Sequence, residues 1–300
     1  MPRSVRDWIL WSETELDAAG VYFGHGTDNA LDEAAWLVGS ALALAPDQLD
    51  THANDVLTAA QKSTVRELVQ QRIATRKPAA YLLREAWFAG MKFYVDERVI
   101  VPRSLTGEFI REQFQPWIKI TRVRRILDLC TGSGCMAIAC ARAFPQAHVD
   151  AVDISEDALA VARINVERHA LQQRLQLRRS DLFSALGDER YDIIITNPPY
   201  VAGWEMSTLP QEYRHEPALA LESGSDGLEA ITRILHQALL HLEAEGLLIA
   251  EVGNASEALQ AAFPEVPFLW LTTAAGDDSV FLLTAAQLAQ HRDQIGARQP

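Results

Sequence analysis

From about residue 105 onward the chain alternates between short apolar runs and longer stretches of helical period, a pattern that few folds accept. The apolar runs fall at 125–129, 148–153, 175–178, 191–196, 246–252, 266–271 and 280–284. Helical patterns occupy 105–114, 134–143, 156–170, 227–243 and 255–262. Repetition of strand and helix builds a largely parallel, doubly wound α/β sheet, because parallel neighbours need a crossover and the crossover helix covers a face. Mainly "TTAAGDD" at 272–278 separates the last two runs, which is too short for a crossover helix. That pair is expected to form an antiparallel hairpin. The polar tail from about 285 is expected to be a loose helix.

Upstream of this pattern, residues 1–84 read as a small helical domain. "TDNALDEAAWLVGSALAL" offers Thr27 or Asp28 as an N-cap, with Leu31, Ala35, Leu37 and Val38 at helical intervals. "STVRELVQQRIATRKPAAYLL" offers Ser63 as a cap with Glu67 nearby, and Val65, Leu68, Val69 and Ile73 on one side. Gly24 and Gly26 mark a loop between helices. Residues 85–104 then alternate through Phe88, Phe93, Val95, Val99 and Val101, a pattern expected of a linker formed by a β-hairpin or two short ribbons, which Pro102 ends. The larger α/β domain is expected over 105–300.

Composition narrows the functional classes. Asp and Glu number 40 against 27 Lys and Arg, a formal charge of -13. Counterion displacement from DNA or RNA needs basic surface, so stable nucleic-acid binding is not expected; a basic protein or a small molecule suits the balance better. Cys130, Cys135 and Cys140 stand five apart, without zinc-ligand spacing, and read as small apolar residues around one strand–loop–helix unit. No metal is expected. Charges interrupt the N-terminal segment, and no apolar run approaches the roughly 20 residues of a membrane helix. A cytoplasmic location and no membrane association follow as expectations.

Three strand ends then suggest a nucleotide-like ligand. "RILDLCTGSGCMAIA" places Asp128 at the end of an apolar run, with Gly132 and Gly134 in the next turn. Glycines let a backbone approach a ligand, and the following helix aims its N-terminal amides at the same space. Asp153 ends the second run ("VDAVDIS"), where a carboxylate can accept both ribose hydroxyls. Ser180, Asp181 and Leu182 in "RRSDLF" end the third, where an adenine amino group needs an acceptor and an apolar wall. Gly132, Gly134 and Ala137 also satisfy a relaxed dinucleotide fingerprint. The acid four residues before Gly132 instead favours a cationic, amino-acid-bearing nucleotide, and S-adenosyl-L-methionine is the cofactor expected.

The fourth run ends in "YDIIITNPPYVAG", 191–203. Pro198 and Pro199 fix φ and remove two N–H groups, leaving a corner rich in acceptors. The Asn197 side-chain oxygen and the Pro198 carbonyl can each accept one hydrogen of an NH₂ group, and Tyr200 offers a stacking face. Holding both N–H bonds orients a poorly nucleophilic nitrogen toward a methyl carbon and stabilises the charge that develops on it. Adenine and glutamine fit this constellation equally.

Over nearly its whole length the chain resembles the HemK-type protein-glutamine N-methyltransferases, most closely the branch acting on the large-subunit ribosomal protein L-three. The resemblance rests on "GHGTDN", "AWFAGMKFYVDERVIVPRS", "DLCTGSGCMAIACA", "AVDISEDALAVA", "RSDLF", "TNPPYV" and "LPQEYRHEPALALESGSDGL". It implies a seven-stranded, Rossmann-like class I methyltransferase domain with a helical head that recognises a protein substrate. It further implies that Cys130, Thr131, Gly132, Ser133 and Gly134 line S-adenosyl-L-methionine, that Asp153 holds the ribose, and that Asn197, Pro198, Pro199 and Tyr200 bind the glutamine, with Asn197 expected to touch the cofactor as well. Leu182 is placed near the adenine, where many members carry Trp. The sister branch, acting on translation release factors, usually reads Pro-Arg-Pro where this chain has Pro102-Arg103-Ser104, which favours the ribosomal substrate.

Several residues keep two readings. Arg103, Arg214, His215 and Glu216 either contact the substrate peptide or form ion pairs on a loop, with Arg214 and Glu216 the expected couple. Glu251 in "IAEVGN" either faces the site or serves structural pairing, and His25 reads as a loop or packing histidine in preference to a substrate contact. The competing functions are release-factor glutamine methylation, amino-methylation of rRNA or DNA, and a non-catalytic assembly factor.

Overall fold

The structure, a computed structural model, describes residues 2–298. The chain divides into two compact units. One comprises the described residues to Ala86 together with Val95–Glu97 and Pro210–His215; the other comprises Trp87–Tyr94, Arg98–Leu209 and the described residues from Glu216 onward.

The first unit is helical: α1 (Val5–Ala18), α2 (Ala30–Leu42), α3 (Ala59–Thr75) and the short α4 (Ala79–Leu83). Its caps differ from the sequence expectation. Helix α2 is capped by Asn29 rather than Thr27 or Asp28, with the Asn29 side chain accepting from the Asp32 amide. Helix α3 begins before Ser63, because Thr58 and Gln61 form a reciprocal capping box; Ser63 sits inside the helix and donates to Glu67. The apolar faces meet around Trp8, Leu16, Leu37, Val38, Val65 and Val69, whereas Leu31 points outward. A fully buried Arg72 donates to Glu33 at 2.7 Å, to the Tyr22 carbonyl at 2.7 Å and to Glu212 at 3.3 Å. His25 is buried with its ring centroid 4.5 Å from that of Tyr213.

The hairpin is shorter than its alternation suggests. Strands β1 (Ala86–Phe88) and β2 (Met91–Phe93) form a two-stranded sheet, and residues 94–105 have no regular structure. Val99 and Val101 are buried, but the Val101 amide donates to the Glu216 carboxylate at 2.9 Å instead of entering a ladder.

After α5 (Thr106–Arg111), the second unit builds the sheet from β3 (Arg125–Leu129), β4 (His148–Asp153), β5 (Leu175–Arg179), β6 (Tyr191–Thr196), β7 (Leu242–Glu251), β8 (Leu269–Leu271) and β9 (Val280–Thr284). Helices α6 (Cys135–Ala143), α7 (Glu156–Arg168), α8 (Glu229–Ala238) and α9 (Ser256–Ala262) lie in the connections, and two short helices, α10 (Ala285–Gln290) and α11 (Arg292–Ala297), form the tail. The sheet order is β5-β4-β3-β6-β7-β9-β8, parallel through β7, with β9 antiparallel to both neighbours. This is the doubly wound sheet and terminal hairpin expected from the sequence. Helix α8 stops earlier than expected: a 3₁₀ turn at Leu239–His241 follows, and β7 starts at Leu242, which pairs with Tyr191 before the register shifts. One core layer packs Ile126, Ile138, Phe144 and Ile193 with the hairpin rings Phe88 and Phe93, and the other packs Leu127, Ile194, Ile234 and Phe281. Strand order reverses between β3 and β6, and ligands of open α/β sheets bind beyond the carboxyl ends at such a switch point.

Candidate active site

At the switch point, Leu129 pairs with Thr196, and the Thr196 hydroxyl donates to the Leu129 carbonyl at 3.0 Å. The next residues of each strand therefore emerge side by side. After β3 the backbone turns through positive φ at Cys130 (58°), Gly132 (53°) and Gly134 (80°). A Cβ on Gly134 would lie 3.2 Å from Ala162 of α7, whereas one on Gly132 would meet nothing within 4 Å. Gly134 thus permits close helix packing, and Gly132 borders open space.

Asp128 holds this loop from beneath. Its Oδ2 accepts from the Thr131 hydroxyl at 2.6 Å and from the Ala137 amide at 3.0 Å, tying the turn to the first turn of α6. The side chain is fully buried, its Oδ1 has no partner among the described residues, and burial pushes its pKa up to about 7. Asp153, at the end of β4, accepts from the Gly132 amide with one oxygen and from the Ser155 amide with the other, both at 2.9 Å. Burial raises its pKa, and those amides oppose the rise. After β5, the Ser180 hydroxyl donates to the Leu182 carbonyl at 2.6 Å, holding Leu182 at φ 50°. Asp181 pairs with Arg233 of α8 at 2.8 Å.

Asn197 follows β6. Its Nδ2 donates to Glu251 at 3.4 Å, and its Oδ1 is buried without a partner among the described residues. The Tyr200 ring lies against Gly253, where a Cβ would come within 2.4 Å of it. A cavity of about 220 Å³ opens onto Cys130, Gly132, Asp153, Ser180, Asp181, Leu182, Asn197 and Pro199, closed on another side by Leu219, Glu222, Glu229 and Arg233. Four successive strand ends thus converge on one space. Asp128, Thr131, Ser133, Gly134, Pro198 and Tyr200 are not part of its wall; the first four form or brace the loop behind it, with the Ser133 carbonyl accepting from Asn165 at 2.9 Å.

Glu216 takes the Arg103 guanidinium on both oxygens, at 2.5 and 2.8 Å, so the ion pair at Glu216 is with Arg103 of the "VPRS" segment. Glu251 is buried and accepts from the Ser104 hydroxyl at 2.6 Å and the Leu105 amide at 2.8 Å as well as from Asn197. Its place as the last residue of β7, beside β6, is the signal that links it to the site. Ser104 carries no local sequence signal for its role as the donor to Glu251.

Two family models match the chain: the methyltransferase small domain over residues 113–225 and the PrmC N-terminal domain over residues 7–83. A protein of Francisella tularensis subsp. tularensis named ribosomal protein uL3 glutamine methyltransferase is 47% identical over 97% of this chain and 93% of its own length. A Bordetella pertussis protein of the same name is 49% identical over 95% of this chain and 96% of its own. The chain belongs to the uL3 glutamine methyltransferase family. It is a methyltransferase of class I, Rossmann-like fold, and S-adenosyl-L-methionine is its methyl donor. The donor set fits that cofactor: Asp128, behind the loop, keeps an orphan oxygen that suits a cationic amino-acid end reached through or beside the loop, and Asp153 borders the cavity where a ribose would present hydroxyls. Among the described residues, no helix is long and apolar enough to cross a membrane.

Proposed function

We propose that this enzyme methylates the side-chain amide nitrogen of a glutamine in the large-subunit ribosomal protein uL3, with Asn197, Pro198, Pro199 and Tyr200 binding the glutamine. The observation that carries the reading is Asn197 Oδ1, a buried acceptor without a partner among the described residues at the end of β6. A buried acceptor left unmatched is costly, and an NH₂ group supplied by the guest removes that cost. The Pro198 carbonyl takes the second N–H. With both bonds held, the nitrogen lone pair points along a single direction, and fixed acceptors stabilise the positive charge that grows on it. S-adenosyl-L-methionine, held by the loop after β3 and the ends of β4 and β5, would supply an electrophilic methyl on a sulfonium, with sulfur keeping the electron pair of the S–C bond as the N–C bond forms. The surplus proton on nitrogen then leaves to solvent, so no strong base is assigned.

On the cofactor side, Asp128, Cys130, Thr131, Gly132, Ser133 and Gly134 hold the amino-acid end, Asp153 the ribose, and Ser180, Asp181 and Leu182 the adenine. The net charge of -13 suits a basic protein substrate and disfavours stable nucleic-acid binding. The test is incubation with methyl-labelled cofactor and separate samples of uL3, release factor and deproteinised rRNA, followed by peptide mass spectrometry. One methylated glutamine in uL3 is expected. Label confined to release factor or to rRNA overturns the assignment.

A further inference from the structure

We infer that Glu251 is a positioning residue that decides which end of the Asn197 amide meets the guest nitrogen. An asparagine presents an acceptor or a donor according to which way its amide is turned, and the two arrangements have almost the same shape. Only the acceptor can hold an NH₂ group. What breaks the symmetry at Asn197 is a neighbour that, as a carboxylate, can only accept: Glu251 Oε1 lies 3.4 Å from Nδ2, so Oδ1 is the atom left over, buried and unmatched among the described residues.

The carboxylate is itself held in one pose. Its Oε2 receives the Leu105 amide at 2.8 Å and the Ser104 hydroxyl at 2.6 Å. The Ser104 oxygen in turn accepts from the Thr106 amide at 3.2 Å and lies 2.6 Å from the Thr106 hydroxyl, which can donate to it while Ser104 donates to the Glu251 carboxylate. The backbone amide of Leu105 cannot invert. Any residue at 251 must therefore keep an acceptor on that side, and only its other atom is free to change character.

That constraint yields a swap. In Glu251→Gln the carbonyl must stay on Leu105, so the new NH₂ faces Asn197, and the Asn197 amide turns its oxygen toward that NH₂ and its own NH₂ toward the guest. Two NH₂ groups then oppose each other across the site, and methyl transfer fails in a folded protein. In Asn197→Asp two carboxylates face across the same contact. In the double variant, the amide introduced at position 251 donates to one oxygen of the carboxylate introduced at position 197, and the other oxygen again faces the guest as an acceptor.

The inference rests on the glutamine-methylating reading for its activity arm and is independent of it for its stability arm. Steady-state rates on uL3 and thermal midpoints are measured for the four proteins. Glu251→Gln is expected to keep the wild-type midpoint within a few degrees and to lose about 10²-fold in kcat, comparable with the loss of one preorganised polar group at a transition state. Asn197→Asp is expected to lose both rate and midpoint. The double variant is expected to recover most of the midpoint and to exceed both single variants in rate. Wild-type kcat in Glu251→Gln, or losses that multiply in the double variant, overturn the inference. If uL3 is not a substrate while the midpoints recover in the double variant, the functional reading falls and the positioning role stands.

Discussion

The ends of β3 and β6 are neighbours in the sheet, yet they are finished in opposite ways. After β3, the polar groups are mostly matched close by: Asp128 Oδ2 takes Thr131 and Ala137, Asp153 from the end of β4 takes Gly132 and Ser155, and Asp128 Oδ1 alone of these carboxylate oxygens is left over among the described residues. After β6, two prolines remove donors, and the partner of Asn197 comes from β7, leaving Oδ1 unmatched among the described residues. The first end is a self-supporting cradle whose shape is stabilised by its own acids. The second leaves the Asn197 oxygen unmet, and that amide is oriented from the next strand. Binding and reaction are thereby separated: damage to the cradle should act on cofactor affinity and stability, and damage to the corner on turnover.

The sharpest way to break this contrast is Asn197→Ala. If the corner serves turnover alone, kcat should fall about 10²–10³-fold, as for loss of one preorganised group at a developing charge. Cofactor affinity by calorimetry should change by less than about tenfold, the equivalent of roughly 1.4 kcal/mol. A large loss of cofactor affinity with kcat preserved would place Asn197 on the wrong side of the division.

A smaller effect is expected behind the corner. A Cβ at Gly253 would lie 2.4 Å from the Tyr200 ring, at a φ of 47° that already strains an L-residue. Gly253→Ala should therefore push Tyr200 away, destabilise the fold by about 1–3 kcal/mol as overpacking does, and lower kcat more than cofactor affinity. Denaturant midpoints and rates measured on the same preparations check both parts.

Which of these features the sequence discloses depends on how local their causes are. The parallel sheet follows from strand-length apolar runs alternating with helical periods. The glycines at 132 and 134 and the prolines at 198 and 199 dictate backbone shape within a few residues of themselves. Helix starts fared worse, since Thr58 with Gln61 and Ser63 with Glu67 offer similar capping chemistry and only the first pair stands where the chain enters α3. The alternation through Val99 and Val101 reads as a ribbon, but the partner of the Val101 amide is Glu216, 115 residues away. Glu251 and Ser104 are of the same kind: each is ordinary locally, and their joint effect on Asn197 exists only once β6 and β7 are paired.

The mildest test concerns the cradle and uses pH. In the cofactor-free protein, burial raises the Asp128 pKa from 3.8 to about 7. Between those values the folded state binds the Asp128 proton and the unfolded state has released it, so unfolding releases protons. Stability then falls as pH rises through that window, with a slope of at most about 1.4 kcal/mol per pH unit from this group. Below the window both states are protonated, and above it the full cost of the buried charge is present. Asp153 and Glu251 carry shifts in the same direction and contribute slopes of their own. The informative quantity is therefore the difference between the wild type and Asp128→Asn, which keeps an acceptor for Thr131 and Ala137 and cannot ionise. Denaturation across the window should show a flatter profile for the variant. Saturating S-adenosyl-L-methionine should flatten the wild-type profile too, because its ammonium compensates the carboxylate charge. Parallel profiles for the two cofactor-free proteins would show that the acid beneath the loop is already matched, and the contrast between a cradle with one oxygen in reserve and a corner with one acceptor in reserve would reduce to the corner alone.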